Sequence, residues 1–475
     1  MTYADFPGRV RRDACPGALQ VHPAADGGLA RIRVPGGLLT PSQLGELATA
    51  ATGAIELTSR ANVQIRGLRP GAERDFAHRM AEAGLLPSAT HERVRNILAS
   101  PLNGLAGTAD LRPLVAELDR ELCARPRLAD LPGRFLFALD DGTGDVAGLG
   151  ADVAAISIGP GFAPVLGGTD TGLRAPSALV VPLMLAAAEA FLAECDAQGV
   201  QAWRVIELPD GSARIGTRLG SAFGARDGLE TGTVTRAATQ SDPQAVPHGT
   251  DPRDSRGSRL REIVGVLEQA DGRVALGAAV PLGRLTAAQA RALAEAAEAA
   301  GGGPGGGEVR LTPWRGAVVP GLPQAEAGRW AARLAEAGLV TDPASPWIGV
   351  SACTGLPGCA KSHADVQADA GHWVRTREIP GLTCGFPETS VTPPREDAGN
   401  PLPGTLPVHW SGCARRCGRP AGPVTDVVAT GAGYRVESPG DRSGGPTGEN
   451  DGDGRGAGGL TRAGIGETAA VRGRG

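Results

Sequence analysis

A chain of 475 residues is longer than one hydrophobic core organises well, so roughly two to four compact units are expected. Hydrophobic residues at 41% and charged residues at 21% exclude a fibrous or wholly unstructured chain, and aromatics at only 3% leave packing to Leu, Val and Ala. A net charge of −4 without a clustered basic excess excludes a general nucleic-acid binder.

The first twenty residues have no apolar leader, and no run of eighteen apolar residues occurs, so a cytoplasmic protein without a membrane partner is expected. In that compartment thiols stay reduced, and eight cysteines with two close pairs read as metal ligands rather than disulfides. Lys361 is the only lysine, so nearly every cation is a guanidinium, which grips carboxylates in a two-pronged fashion. Much of the excess Gly and Pro lies in GGGPGGG at 301–307 and in the tail from Ser438, segments expected to stay unfolded.

In chain order, GGLARIRVPGGLLT at 27–40 alternates as a strand does and ends in a turn. A Thr-capped helix follows at 41–51, and IELTSRANVQIRGL at 55–68 predicts a strand pair, which together make a β-α-β unit. Within the segment from Pro87 to Gly224, RFLFALDDG, GTGDVAGLG and DVAAISIG predict a hairpin. Gly142-x-Gly144 is spaced as in a dinucleotide loop, but an apolar strand rather than a helix follows it, which argues against that use. A polar stretch at 235–259 reads as a linker. The early order then recurs: DGRVALGAAVPLGRLT at 271–286, a helix at 287–300 and EVRLTPWRGAVVPGL at 308–322. Such a repeat points to duplicated halves about a shared pseudo-twofold axis, with a site between them.

The strongest chemical signal is C-x5-C at Cys353 and Cys359 followed by C-x3-C at Cys413 and Cys417. Gly355, Gly358, Gly412 and Gly418 allow two tight loops to bring four thiolates to the corners of a [4Fe-4S] cube. Structural zinc sites use C-x2-4-C pairs or include His, and fit these gaps poorly. Cys15, Cys123, Cys195 and Cys384 lack close partners and read as small buried hydrophobes, Cys15 and Cys384 standing nearest to turns.

These motifs resemble the sulfite and nitrite reductase haemoprotein superfamily over about residues 15–435. Arg60 and Gln64 match its first-domain TSR…Q motif, Arg95 and Asn96 its RN motif, and Cys417 would correspond to the cysteine that bridges cluster and sirohaem iron. RRDACPGALQ, LTSRANVQIRGL, LPGRFLFALDDG, RLTPWRG, CTGLPGCAKSHADV and HWSGCARRCGRP, in this order, resemble the precorrin-3B synthase family within it. The fold this implies is α+β: duplicated ferredoxin-like half-domains plus two α/β reductase-type domains around a pseudo-twofold axis. The corresponding boundaries are a first half-domain at 15–86, a first reductase-type domain at 87–234, the linker at 235–259, a second half-domain at 260–340, a cluster domain at 341–437 and the tail at 438–475.

The implied activity is a monooxygenase-type, dioxygen-dependent hydroxylation of precorrin-3A with γ-lactone closure, in aerobic cobalamin biosynthesis. It implies a [4Fe-4S] cluster, a mononuclear non-haem iron and an unidentified electron donor. The competing implication is a sirohaem-dependent sulfite or nitrite reductase; a cluster-bearing electron carrier ranks below both. Reductases of this type carry K-F-K where this chain has Arg134-Phe135-Leu136, so one cation of a small-anion site has become apolar. A substrate with many carboxylates needs buried cations, for which Arg60, Arg66, Arg95, Arg134 and Arg315 are candidates, with Gln64 and Asn96 as neutral donors. His363, His372, His409 and Asp365 are the candidates for a second iron.

Overall fold

The computed structural model describes residues 13–223, 230–231, 256–301, 307–380 and 406–439. In the first half, β1 (His22–Ala24), β2 (Gly27–Ile32), β3 (Leu38–Leu39), α1 (Pro41–Ala50), β4 (Ile55–Leu57), β5 (Val63–Leu68) and α2 (Glu73–Glu82) follow one another. Thr40 caps α1 reciprocally: its hydroxyl accepts the Gln43 N–H at 3.2 Å, and the Gln43 side chain accepts the Thr40 N–H at 3.0 Å.

The predicted β-α-β unit differs from the observed one. The strands form an antiparallel sheet in the order β1-β2-β5-β4, and β3 leaves it for the other half. Gly37 allows the departure: its φ is 72°, and a Cβ there would overlap the Leu311 carbonyl oxygen.

The middle region holds β6 (Ile97–Ala99), α3 (Arg112–Cys123), β7 (Phe137–Asp140), β8 (Val153–Ile158), β9 (Gly161–Leu166), β10 (Thr169–Asp170), β11 (Leu173–Pro176), α4 (Ser177–Gln198), α5 (Gly211–Ala222) and β12 (Glu230–Thr231). The expected hairpin at 134–158 is instead a parallel pair, β7 beside β8. Asp140 explains the return of the chain. Its carboxylate accepts N–H bonds from Gly142, Gly144, Val146 and Ala147, winding the glycine-rich stretch into a compact loop. The real hairpin is β8 with β9. Among the described residues α4 alone is long and apolar enough to cross a membrane, and its Val180, Leu183, Ala187 and Phe191 are buried in the core of this region.

The second half contains α6 (Arg256–Ile263), β13 (Gly265–Glu268), β14 (Val274–Ala279), β15 (Arg284–Leu285), α7 (Ala287–Ala300), β16 (Val309–Leu311), β17 (Gly316–Leu322) and α8 (Ala327–Glu336). α6 begins within the stretch read as linker; 235–255, 302–306 and 440–475 lie outside the described residues. Thr286 and Gln289 repeat the capping box of α1. The sheet order is β13-β14-β17-β16, to which β3 adds by pairing with β16, while β15 pairs with β4 in the first sheet. Each half thus completes the other. α1 packs on α7 across the join, burying Leu44, Leu47, Leu293 and Ala297.

Last come β18 (Val350–Ala352), α9 (Val366–Thr376), β19 (Val408–Ser411), β20 (Thr425–Thr430) and β21 (Gly433–Glu437). The first three strands of this sheet are parallel and the last is antiparallel. The architecture is α+β with duplicated ferredoxin-like halves, as the sequence predicts.

Candidate functional site

Parallel pairing of β18 with β19 makes both cysteine loops leave the same edge of the sheet, Cys353 one residue beyond β18 and Cys413 two beyond β19. The pairing continues into the loops. Cys353 N–H donates to Trp410 O at 2.9 Å, Gly412 N–H to Cys353 Sγ at 3.2 Å and His363 N–H to Gly412 O at 2.8 Å. Cys359 N–H closes its own turn on Gly355 O at 2.8 Å.

The four thiols share one electrostatic environment: Cys353 feels Cys417 and Cys413, and Cys417 feels Cys413 and Cys359. Burial is the main reason that the Cys353 and Cys417 thiols are pushed up. Among the described residues only Asp140, Asp141 and Asp145 bring three ligand atoms within 4.8 Å of one another, so no three thiols converge that tightly. Tetrahedral zinc would draw sulfurs to about 3.8 Å, given Zn–S bonds near 2.3 Å. Four thiols within electrostatic reach of one another, with a main-chain N–H aimed at one sulfur, are the donor set that a [4Fe-4S] cluster uses.

The histidines are dispersed. His409 is buried, with Nδ1 bonded to Ser351 Oγ at 2.9 Å and Nε2 to Cys417 O at 3.2 Å, so it braces the loop. His372 lies on α9 beside Glu378, and Asp365 caps that helix through the Ala368 N–H. Among the described residues no three of His363, His372, His409 and Asp365 bring ligand atoms within 4.8 Å of one another.

A second concentration of chemistry lies on the first sheet. Along β2, Ala30 and Ile32 enter the core, so Arg31 and Arg33 project from the opposite face. The register aligns Arg31, Gln64, Glu56 and Arg284 in one row across four strands. Gln64 accepts from Arg31 Nε at 3.0 Å and donates to Glu56 at 3.2 Å, which fixes the direction of Arg31.

Arg33 is 2% exposed; its Nε donates to Arg93 O at 3.1 Å, while Nη1 and Nη2 have no partner among the described residues. Burial, then the neighbouring Arg31, lowers the Arg33 pKa to about 9; burial, then Arg204, lowers that of Arg60 to about 10. Arg134 is within electrostatic reach of Arg31 and stacks 4.9 Å over the Trp203 ring. Cys15 lies in this nest, bonded to Asp13, and burial raises its thiol. A crowd of buried guanidiniums with idle donors fits a ligand rich in carboxylates.

Other predicted residues do positioning work. Arg95 makes a two-pronged 2.6 Å pair with Asp119. Asn96 donates to Gly133 O and Phe135 O and accepts from Asn62, locking the LPGRF turn against the first sheet. In this structure these bonds engage Arg95 and Asn96 within the protein. Arg66 joins Asp26 at 3.0 Å and donates to Gly358 O at 2.6 Å, anchoring the first cysteine loop to the first half. Arg315 lies on the cluster side, near Cys353 and Glu56. Cys123 and Cys195 pack against the middle core, and Cys384 lies outside the described residues. Arg31, Arg33 and Trp203 were missed from sequence; the R-x-R spacing in a strand was the available signal.

The nitrite/sulfite reductase ferredoxin-like half domain matches residues 22–83 and again 267–337. The chain is thus similar to nitrite and sulfite reductases over both duplicated halves. It is 28% identical to a precorrin-3B synthase of Sinorhizobium sp, over 94% of this chain and 87% of that one. It is 26% identical to a ferredoxin–nitrite reductase of Synechococcus elongatus, over 86% of this chain and 77% of that one. The solved structure of the Mycobacterium tuberculosis NirA protein has a similar fold, with a TM-score of 0.64 at 24% identity, covering 86% of this chain and 74% of that one.

Proposed function

We propose that the chain is an iron-sulfur oxidoreductase that holds a carboxylate-rich tetrapyrrole in the arginine nest, beside a [4Fe-4S] cluster ligated by Cys353, Cys359, Cys413 and Cys417. Its reaction is that of a precorrin-3B synthase: dioxygen-dependent hydroxylation of precorrin-3A with γ-lactone closure, in the cytoplasm, with electrons from a separate donor. The observation that carries this reading is Arg33, whose two terminal nitrogens are buried beside Arg31 and Arg60 without a partner among the described residues. A buried cation without a counter-charge costs several kcal/mol, and a substrate carboxylate offsets that cost.

The cluster, when bound, supplies electrons one at a time. The chain's own residues orient the substrate. Gln64 aims Arg31, the Arg134 guanidinium lies 4.9 Å over the Trp203 ring, and Leu136, 2% exposed with its N–H on Asp152 at 2.9 Å, packs in the apolar core two residues beyond Arg134. A large, partly apolar ring suits that mixture better than sulfite or nitrite does.

The second reading, a sirohaem-dependent nitrite or sulfite reductase, draws support from Arg204. Asp152 holds Arg204 Nε at 2.7 Å near Arg60, returning a cation to the neighbourhood of Leu136. The visible spectrum of anaerobically purified protein separates the two: a sirohaem Soret and α-band set favours the reductase, a broad cluster shoulder alone the synthase. Full conversion of precorrin-3A without dioxygen would sink the oxygenase reading, and no visible absorption after anaerobic reconstitution would sink both. Cys359→Ser and Cys413→Ser are expected to lose iron and acid-labile sulfide, whereas Cys195→Ser retains them.

A further inference from the structure

Arg315 is a buried cation that the substrate reading leaves unused. It sits in the turn between β16 and β17 at φ 65°, its N–H donating to Thr312 O at 3.1 Å while Thr312 N–H donates to Gly316 O at 2.9 Å. The first half builds the same turn, Thr58 N–H to Asn62 O and Ala61 N–H to Thr58 O, with Ala61 at φ 53° in the place of Arg315. The backbone therefore does not require an arginine here.

Its surroundings direct it toward the cysteine loops. Gly283 makes the cradle: a Cβ there would stand 2.5 Å from Arg315 Cδ. A Cβ on Gly418, next to Cys417, would stand 3.3 Å from Nη2. Nε is buried and has no partner among the described residues, and the charges that act on the guanidinium are Glu56 and Cys353.

We infer that Arg315 sets the reduction potential of the cluster, its fixed charge and idle donor favouring the reduced form, with Glu56 as the opposing charge. The inference rests on the cluster assignment above. Reduction adds one electron to a group already surrounded by four thiolates, and a guanidinium shielded from water favours that added charge more than screened surface cations do. Arg315 is thus a positioning residue for charge; it need not touch the substrate.

The test is a dye-mediated redox titration of the reconstituted holoprotein, read from the EPR signal of the reduced cluster, with iron and sulfide measured on each sample. Arg315→Met, which removes the charge, is expected to lower the ratio of reduced to oxidised clusters about tenfold at a fixed potential, a fall of about 59 mV in midpoint for one electron. Arg315→Lys is expected to stay near wild type, and Glu56→Gln to shift upward. A purely structural role would not give opposite signs. An Arg315→Met protein with full iron and sulfide and an unchanged midpoint overturns the inference. Should Arg315→Met fail to hold a cluster, Glu56→Gln decides: an unchanged or lowered midpoint overturns it, a raised one supports it. Wild-type protein that never takes up iron and sulfide defeats the cluster assignment itself, and this inference with it.

Discussion

The two halves share a backbone and divide the chemistry. Both have the capped helix, the irregular pairing in the second strand and the Thr-to-Arg or Thr-to-Ala turn. Register equates the Arg31–Gln64 pair with Gly277–Val318, and Arg33 with Ala279. One sheet face is therefore charged and its duplicate is apolar. The reason is what covers each. In the second half α6 and the segment after it, with Trp314, Val340 and Ile348, seal the face, and a Cβ on Gly277 would overlap the Ile263 carbonyl oxygen. The inward faces, which pack on the joined helices, stay alike because that core must be filled from both sides.

The comparison breaks most visibly by writing the first half's residue into the second. Gly277→Arg is expected to cost more than about 4 kcal/mol, measured by urea unfolding, because a side chain has no space beneath Ile263. Its mirror image, Arg31→Gly, is expected to fold. An intermediate effect is expected at Arg33→Met: at least about tenfold weaker binding of uroporphyrin, a stable octacarboxylate tetrapyrrole, together with about 1 kcal/mol more stability of the ligand-free protein. A buried charge with two nitrogens unpartnered among the described residues has then been exchanged for an apolar chain. Fluorescence titration and thermal melts check both arms; unchanged affinity would detach the nest from ligand binding. The smallest effect is the symmetrical one. Thr40→Ala and Thr286→Ala each remove the same cap, at about 1 kcal/mol apiece, and a large inequality would show that one half dominates folding.

What the sequence disclosed follows from locality. A capping box spans four residues, and a cysteine pair reports its loop directly, so both α1 and α7 and the two Cys loops were legible. The strand exchange was not, because Leu38–Leu39 looks like the end of β2 until the partner beyond Gly37 is known. The supposed hairpin failed for a related reason: the carboxylate of Asp140 bonds along a loop, and no hydropathy pattern records it. Among the arginines, charge alone could not separate Arg95, neutralised by Asp119 on another element, from Arg33, which has no such partner among the described residues.

The traded strands β3 and β15 carry an evolutionary consequence. A solitary ancestral half would have lacked one edge of its sheet and needed a twin to supply it, so its folding would have been a bimolecular event, sensitive to dilution. Joining the two genes made that encounter intramolecular. In one chain symmetry is not obligatory: one half carries the arginines, the other a closed face, and each still depends on the other's strand.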